Sequence, residues 1–525
     1  MRARSRVRAI AMAVGALAFL GGCTTSVLDG HGQLSAGPSG APRPSVTSLP
    51  PAPTPAPAQF QDCRSGIKVG LLGLSAARLA ELSFECAEVS VPLNYADPSG
   101  NQIQVVVLRV RDAKDTSPIG SLLVNPGGPG GSGVELALGL LAKLPASILG
   151  HFDLVGFDPR GVGLSSPIDC LTDSEQDQLD AASPDVLTTS GFGMAKALAN
   201  QYAAKCNAKY GADLAQYDTV QTARDMDQIR QAVGDDKLNY LGFSYGTELG
   251  AQYLHLFPHN VRVAVLDGAV DPLYGPIESA AKQLKGFEDA FDQFANWCTS
   301  HDPCSAIGNP RQAVYALVDA ARQHPLPAAG TTRRVTASLV LTAVSEALYS
   351  RSDWPKLGSA LADAQNGAGK GLLDLADQYY QRFDGHYSNL FDAFNTISCN
   401  DSPPGPSDAT IRATAQKWSH DYPMFGLNGA AGLFTCQQWQ PDRTVPPLPT
   451  ATDSSATALV IGNLHDPATP YQGAVDLTKT LGNARLLTWN GEGHTSYLEG
   501  SSCIDDYVDA YLLHGTLPPT GAKCQ

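Results

Sequence analysis

A five-residue turn, Gly242-Phe243-Ser244-Tyr245-Gly246, restricts the fold of this chain more than any other feature. The apolar residues 238–242 before it have the length of a strand, and residues 248–256 after it have helical spacing. Chance would supply such a pentapeptide about 0.3 times in a chain of this composition, so its setting carries the argument. A strand that runs through this turn into a helix predicts that the Ser244 hydroxyl projects from the end of a sheet.

Short apolar strands alternate with helical segments on both sides of this turn. This alternation predicts a mostly parallel sheet with helices on both faces, an α/β fold. The chain has 525 residues, 43% of them hydrophobic and 17% charged, which is enough for a large core with an insertion. Strands are predicted at 103–110, 121–124, 152–157, 261–266, 458–462 and 484–488, and a helix at 222–233.

The pattern changes between residues 276 and 445, where helical periodicity dominates, as at 338–348 and 354–364. We therefore expect a mostly helical cap at 276–445, inserted into one catalytic core. Residues 61–275 would form the first part of that core and residues 446–525 would complete it.

The N-terminus has the pattern of an export signal. Four arginines lie within the first eight residues, and an apolar stretch at 9–20 follows that is too short to span a membrane comfortably. Leu20-Gly21-Gly22-Cys23 then resembles a bacterial lipobox, in which the cysteine is acylated. We expect a signal peptide at 1–22, lipidation of Cys23, and a Pro-, Ser- and Thr-rich tether at 23–60. The protein would then lie at the outer face of the cytoplasmic membrane; an ordinary secretory signal is the alternative.

Cysteine usage agrees with export. Apart from Cys23 the chain has ten cysteines, an even number, and disulfides are the usual state outside the cytosol. Spacing alone does not fix the pairing, and a zinc site is the competing interpretation, although no Cys-x-x-Cys pair occurs. We take pairing between neighbours as the working hypothesis: Cys63–Cys86, Cys170–Cys206, Cys298–Cys304, Cys399–Cys436 and Cys503–Cys524.

The charge balance limits the partners. Acidic residues outnumber basic ones by 51 to 36, and the formal net charge is −15. A nucleic-acid-binding protein needs a basic face, so this class is not expected, and neither is adsorption to anionic lipid by charge. We expect a monomer that meets the membrane only through its N-terminal lipid anchor.

A glycine run at residues 125–133 follows the strand predicted at 121–124. Glycines let backbone N–H groups approach a developing negative charge without side-chain clash. We predict an oxyanion hole formed by the N–H groups of Gly128 and Tyr245. A phosphate-binding loop is the alternative, but the run lacks the Gly-Lys-Ser/Thr that such loops carry.

An acid and a base follow Ser244 in the order that a serine triad of this kind uses. Asp466 comes just after the strand predicted at 458–462, and His494 follows the one predicted at 484–488. A neutral imidazole at such a position can take the serine proton, and a carboxylate can hold its tautomer. We therefore predict Ser244 as nucleophile, His494 as base and Asp466 as its orienter, with no metal and no cofactor.

These motifs together resemble the tripeptidyl-aminopeptidase-like α/β-hydrolases. These are exported relatives of the prolyl aminopeptidases, and some are described as cell-envelope carboxylesterases. The resemblance spans the chain beyond the tether. It implies the same triad, a helical cap, and a C-terminal segment that carries the Asp and the His. The segments that carry it are Asn125-Pro126-Gly127-Gly128-Pro129-Gly130, Asp158-Pro159-Arg160-Gly161-Val162-Gly163-Leu164-Ser165, Gly242-Phe243-Ser244-Tyr245-Gly246-Thr247, Val265-Leu266-Asp267-Gly268-Ala269-Val270-Asp271-Pro272, Asp466-Pro467-Ala468-Thr469-Pro470 and Gly493-His494.

The chain departs from the prolyl aminopeptidases at one point, because Pro126 stands where their glycine loop has a histidine. The backbone donors of that loop remain. Asp158 and Arg160 could bind substrate, although an ion pair that stabilises their loop is the simpler interpretation. Asp271 and Asp401 are hypotheses for capture of a peptide amine, since an exopeptidase needs a carboxylate near its nucleophile.

Three functions fit these residues to different degrees. The first is a serine aminopeptidase of the tripeptidyl type, which releases short peptides from peptide N-termini through an acyl-enzyme. The second is a cell-envelope carboxylesterase or lipase, which would use the same triad. The third, a catalytically silent binding lipoprotein, predicts erosion of the triad or of the oxyanion glycines, and neither is eroded.

Overall fold

The structure, a computed structural model, describes residues 52–114, 118–302, 304–439 and 449–525. The predicted signal peptide and Cys23 lie outside the described residues. The same holds for most of the predicted tether and for the last residues of the predicted cap. No helix in the described ranges is both long enough and apolar enough to cross a bilayer.

The strands of the described ranges form one large sheet and two small hairpins. They are β1 Gln61–Asp62, β2 Leu82–Pro92, β3 Gln102–Asp112, β4 Gly120–Asn125, β5 Phe152–Phe157, β6 Leu238–Phe243, β7 Val261–Asp267, β8 Leu326–Pro327, β9 Arg334–Val335, β10 Arg382–Phe383, β11 His386–Tyr387, β12 Ala458–His465, β13 Ala484–Glu492 and β14 Lys523–Cys524.

The large sheet has ten strands in the order β1-β2-β3-β5-β4-β6-β7-β12-β13-β14. The pairs from β5 to β14 are parallel, and β1, β2 and β3 are added antiparallel at one edge. The predicted mostly parallel sheet is therefore confirmed. Parallel strands end at the same edge, so the loops after β4, β6, β7, β12 and β13 meet there.

The α-helices of the described ranges cover the sheet and build the cap. They are α1 Ala76–Glu81, α2 Gly133–Leu140, α3 Ala146–Leu149, α4 Asp173–Ala181, α5 Thr189–Tyr210, α6 Thr219–Val233, α7 Tyr245–Leu256, α8 Pro276–Cys298, α9 Pro310–Gln323, α10 Ala337–Leu348, α11 Trp354–Gln365, α12 Lys370–Tyr379, α13 Leu390–Asp401, α14 Asp408–Asp421, α15 Gly426–Gly432, α16 Gln472–Leu481 and α17 Ser502–His514.

Alternation along the central strands separates two apolar layers. On β4, Leu122 and Val124 belong to one buried cluster, whereas Leu123 between them belongs to the other. Successive side chains of a strand point to opposite faces, so a strand with an uninterrupted apolar run is covered by helices on both sides. A third cluster lies mainly within helices α8 to α15, with Trp418 among its most deeply buried side chains.

Helix α5 contributes Phe192 and Tyr202 to that third cluster, and the partly buried Leu179 of α4 packs against it. They precede residue 276 in the chain, where the sequence predicts the start of the cap. The apolar core of the helical layer therefore draws on segments from two parts of the chain. The order of segments along the chain does not predict this shared core, because α4 and α5 lie within residues 61–275, which the sequence pattern places in the catalytic core.

Asp158 and Arg160, in the loop after β5, have other partners than the predicted ones. Arg160 does not pair with Asp158; it forms a buried ion pair with Asp225 of α6 at 2.6 Å and also donates to the carbonyl of Leu93. Asp158 instead accepts the hydroxyl of Ser132, at the start of α2, at 2.5 Å. The prediction of an ion pair between Asp158 and Arg160 is wrong because each side chain reaches a different helix.

The five disulfides agree with the hypothesis of pairing between neighbours. The closed loops are short, from 6 to 37 residues in sequence separation, and each staples one local segment. All ten of these cysteines are oxidised, so none of them offers a thiolate to a metal. The pairs are Cys63–Cys86, Cys170–Cys206, Cys298–Cys304, Cys399–Cys436 and Cys503–Cys524.

Candidate active site

Ser244 lies between the end of β6 and the first residue of α7. Its backbone has φ 54° and ψ −125°, a strained conformation for a residue with a side chain, and its N–H donates to the carbonyl of Asp267 at 2.9 Å. The turn sets the hydroxyl at the N-terminus of α7, where backbone N–H groups have no acceptor within the helix. This is the geometry that the pentapeptide predicts.

Gly127 packs directly against this turn. A Cβ atom added to it would lie 2.9 Å from the Cβ of Ser244 and 3.0 Å from the nitrogen of Tyr245. Its φ of 98° is also unfavourable for any other residue. The glycine run therefore reaches the Ser244 turn closely enough to build an oxyanion hole with the first N–H of α7. Gly128, the predicted donor, follows with φ 108° and lines the cavity in front of the turn.

His494 and Asp466 meet beyond the ends of β13 and β12. The Nδ1 atom of His494 lies 2.9 and 3.0 Å from the two carboxylate oxygens of Asp466. Thr469 donates its hydroxyl to Asp466 at 3.0 Å and lies 3.3 Å from the same ring nitrogen. Nε2 has no hydrogen-bond partner within the described part of the chain, so it is available to accept a proton.

The imidazole is also fixed by the cap. The backbone N–H of His494 donates to the backbone carbonyl of Tyr349 at 2.7 Å, and the rings of the two residues meet edge to face at 5.3 Å. Gly268 also lies close to the ring, because a Cβ atom added there would come within 3.3 Å of the ring carbon Cε1. Gly268 directly follows Asp267, which binds the Ser244 turn. The structure thus brings Ser244, His494 and Asp466 to one edge of the sheet.

A cavity of about 380 Å³ opens beside these residues, which is within the usual range of small-molecule sites, about 300–1,000 Å³. Gly128, Tyr245 and Thr469 form its wall next to the triad. Asp271 and Asp401, the two carboxylates predicted to capture an amine, line the same cavity.

A third carboxylate, that of Glu248, also lines this cavity. The carboxylate of Glu248 makes no hydrogen bond within the described ranges. Burial raises its pKa to about 7, and the charge of Asp271 adds to the shift. Asp271 accepts the N–H of Leu273 at 3.0 Å, and burial raises its pKa as well.

The pKa of Asp401 is raised as well. Thr219 donates to it from both its hydroxyl, at 2.6 Å, and its backbone N–H, at 3.1 Å. Burial nevertheless raises its pKa well above the usual range, and the charges of Asp218 and Glu248 raise it further. A cationic group inside the cavity would relieve the repulsion that these carboxylates share.

Sequence reasoning missed Glu248 and Thr469. Glu248 lies three residues after Tyr245, which places both on one face of α7, so the helical period could have indicated it. Thr469 lies three residues after Asp466, a spacing at which a side chain and a backbone N–H commonly meet in a turn. The Thr469 N–H does donate to Asp466, at 2.8 Å.

The sequence profile of the α/β-hydrolase fold family matches residues 120–501, a range that contains the Ser244 turn, Asp466 and His494. The chain belongs to the α/β-hydrolase family. The predicted fold class is thereby confirmed.

Curated relatives of this α/β-hydrolase are similar over most of their length. Serine protease Hip1 of Mycobacterium tuberculosis is 40% identical over 84% of this chain and 87% of its own. Carboxylesterase B of the same organism is 40% identical over 92% of each chain. Tripeptidyl aminopeptidase of Streptomyces coelicolor is 32% identical over 84% of this chain and 83% of its own. These relatives confirm the resemblance to the tripeptidyl-aminopeptidase-like hydrolases.

Proposed function

We propose that this α/β-hydrolase is a serine aminopeptidase that releases short peptides, of the tripeptidyl type, from peptide N-termini. The names of two relatives, a serine protease and a tripeptidyl aminopeptidase, support a peptidase. The acidic cavity beside the Ser244 turn supports action at a free N-terminus. This cavity is the observation that carries the proposal.

The proposed chemistry uses the triad in its ordinary roles. Ser244 attacks the scissile carbonyl while Nε2 of His494 accepts the hydroxyl proton. Asp466 holds Nδ1 as the hydrogen-bond donor and stabilises the imidazolium that forms. The N–H groups of Gly128 and Tyr245 stabilise the oxyanion. His494 then protonates the leaving amine, and water attacks the acyl-enzyme by the same route.

The cavity has the charge that an ammonium group requires. Three of its described lining residues are carboxylates, and one, Lys282, is a cation. The Nζ of Lys282 lies 3.4 Å from Glu278, which is not part of the lining, and 4.3 Å from the centre of the Tyr274 ring, which is. The pKa values of the three carboxyl groups are raised, and the ammonium group of a peptide N-terminus, with an ordinary pKa of about 7.7–8.0, would stabilise their ionised forms.

A carboxylesterase is the second candidate, because a relative of that name is as similar to this chain as the serine protease is. An ester substrate uses the same triad and the same oxyanion hole. A neutral acyl group, however, gains nothing from three neighbouring carboxylates and must displace the water that solvates them. The acidic cavity therefore favours the peptidase.

The two candidates are separated by comparing a tripeptide anilide that has a free N-terminus with a short-chain nitrophenyl ester. Ser244→Ala serves as the control for both substrates. The proposal predicts Ser244-dependent release of the intact tripeptide. Ester turnover without any anilide cleavage would contradict the peptidase and support the esterase.

We propose further that the protein is exported and anchored at the outer face of the cytoplasmic membrane through an acylated Cys23. The proposal rests on the arginine-rich start, the apolar stretch and the Leu20-Gly21-Gly22-Cys23 sequence. The Pro-rich residues after Cys23 would hold the catalytic body away from the lipid surface.

Cys23→Ala tests the anchor apart from catalysis. The variant is expected to leave the membrane fraction and to appear in the medium with its hydrolase activity intact. A Cys23→Ala protein that stays in the membrane fraction would contradict the anchor.

A further inference from the structure

Asp267, the last residue of β7, lies between the two segments that the proposed reaction must hold together. Its backbone carbonyl accepts the N–H of Ser244 at 2.9 Å. Its carboxylate oxygen Oδ2 accepts the backbone N–H groups of Ser496 at 2.9 Å and Tyr497 at 2.8 Å, two and three residues after His494. One residue therefore binds both the nucleophile turn and the histidine loop.

The histidine loop needs such support. Thr495 and Leu498 adopt φ values of 70° and 65°, the left-handed region that side-chain-bearing residues avoid. A loop with two such residues keeps its shape only where its surroundings determine it. The two N–H groups between the strained residues, those of Ser496 and Tyr497, both go to Asp267.

The two hydrogen bonds to Oδ2 do not by themselves require a carboxylate at position 267. Its side chain is fully buried, and Oδ1 has no hydrogen-bond partner among the residues that the structure describes. A neutral amide oxygen would accept the same N–H groups without the cost of burying a charge. The titratable groups that act on Asp267 are Asp466, by repulsion, and His494, by attraction.

Burial raises the pKa of Asp267 to about 6. The side chain is therefore mostly ionised near neutral pH, where a serine triad works. In addition to Asp466, it then supplies a second negative charge that attracts the protonated imidazole of His494.

We propose that Asp267 is a positioning residue that joins the Ser244 turn to the His494 loop and whose charge stabilises the imidazolium formed during the reaction. The inference rests on the proposed triad. It does not depend on whether the substrate is a peptide or an ester.

The test measures the rate at which a fluorophosphonate probe labels Ser244, as a function of pH. Labelling reports the reactivity of the serine without any peptide or ester substrate. Asp267→Asn keeps an acceptor for the two N–H groups and removes the charge. The control is Asp505→Asn, since Asp505 accepts the N–H of Leu498 at 2.8 Å in the same loop but is not among the groups that act electrostatically on Asp267.

Asp267→Asn is expected to lower the labelling rate about tenfold or more, in line with the effect of small displacements at catalytic centres. The acid limb of its pH profile should move to lower pH by about half a unit, because the loss of one negative charge disfavours protonation of the imidazole. Asp267→Glu keeps the charge but displaces it, so it should slow labelling and leave the limb in place. Asp505→Asn should keep the wild-type limb.

The inference would be overturned if Asp267→Asn showed the labelling rate and the acid limb of the wild type. It would also be overturned if the acid limb of Asp505→Asn moved by the same amount as that of Asp267→Asn. Circular dichroism at each pH separates these results from unfolding. If Asp267→Asn does not fold, Asp267→Glu decides, and a wild-type rate in that variant contradicts the positioning role. A wild-type protein in which the probe does not label Ser244 would contradict the proposed triad itself.

Discussion

Glu248 of α7 and Asp401 of α13 line one cavity, one carboxylate from the helix behind the nucleophile and one from the helical layer above it. The charge of Glu248 contributes to the raised pKa of Asp401, so each ionised group disfavours the other. Clusters of buried acids are destabilising unless a cation or a proton neutralises them. The ammonium group of a substrate bound between them would supply that neutralisation.

Replacing Glu248 by Gln should raise the KM for a tripeptide anilide with a free N-terminus about tenfold or more. The variant loses a charge-assisted hydrogen bond, and such bonds contribute about 1.5–3 kcal/mol. Turnover of a nitrophenyl ester should change little, because that substrate has no ammonium group. Glu85→Gln is the matched control, since Glu85 pairs with Arg109 on the neighbouring strand β3 and neither residue lines the cavity. Equal losses with both substrates would contradict an ammonium site.

The same residue predicts a pH dependence of KM. The pKa of Glu248 is raised to about 7, so the side chain is neutral in more acidic solution and ionises as the pH rises through 7. KM for a substrate with a free amine should therefore fall between about pH 6 and 8, and rise again as the amine loses its proton above about pH 8. The acid limb of this profile should be absent in Glu248→Gln. A wild-type KM that stays constant from pH 6 to 8 would contradict the assignment.

Gly127→Ala should abolish activity. The added Cβ would lie 2.5 Å from the carbonyl oxygen of Phe243 and 2.9 Å from the Cβ of Ser244, so the nucleophile turn must shift. Gly500→Ala is the matched control, because Gly500 has a similar φ of 103° and no atom within 4 Å of the added Cβ. Steady-state hydrolysis and the thermal midpoint of both variants are compared. An active Gly127→Ala enzyme would show that the glycine run does not form the oxyanion hole in this way.

Arg160→Ala should destabilise the fold by about 3–5 kcal/mol, because it leaves Asp225 buried without its partner. It also removes the guanidinium N–H groups that donate to the carbonyl oxygens of Leu93 and Gln216. Lys285→Ala removes the exposed pair with Asp289 on α8 and should change stability little. Urea denaturation measures the free energy of unfolding of the wild type and of both variants. A loss below about 1 kcal/mol for Arg160→Ala would show that water or rearrangement compensates the buried carboxylate.

The sequence predicted the elements whose patterns are strongest. Residues 152–157 were predicted as a strand and form β5 without change, and residues 354–364 were predicted as a helix and form α11 with one residue more. The Ser244 turn was predicted because its geometry is fixed by five adjacent residues. Local patterns of this kind do not depend on distant parts of the chain.

Apart from the roles of Glu248 and Thr469, the interactions that the sequence does not predict depend on contacts between distant segments. The Arg160–Asp225 pair joins a loop to a helix, and the ionisable groups that act on Asp267 lie on loops far along the chain. The strand β2 was also missed, although it pairs with β3 along its whole length. Its sequence mixes charged and apolar residues, as an antiparallel strand near a sheet edge can, so it lacks the continuous apolar run of the buried parallel strands.

The central claim is that the acidic cavity recognises a free peptide N-terminus. Its most direct test is the ratio of kcat/KM for a tripeptide anilide with a free N-terminus to that for the same anilide after N-acetylation. The account predicts a ratio of about 100 or more in the wild type, and a marked fall of that ratio in Glu248→Gln. Equal kcat/KM for the two anilides in the wild type would contradict the claim.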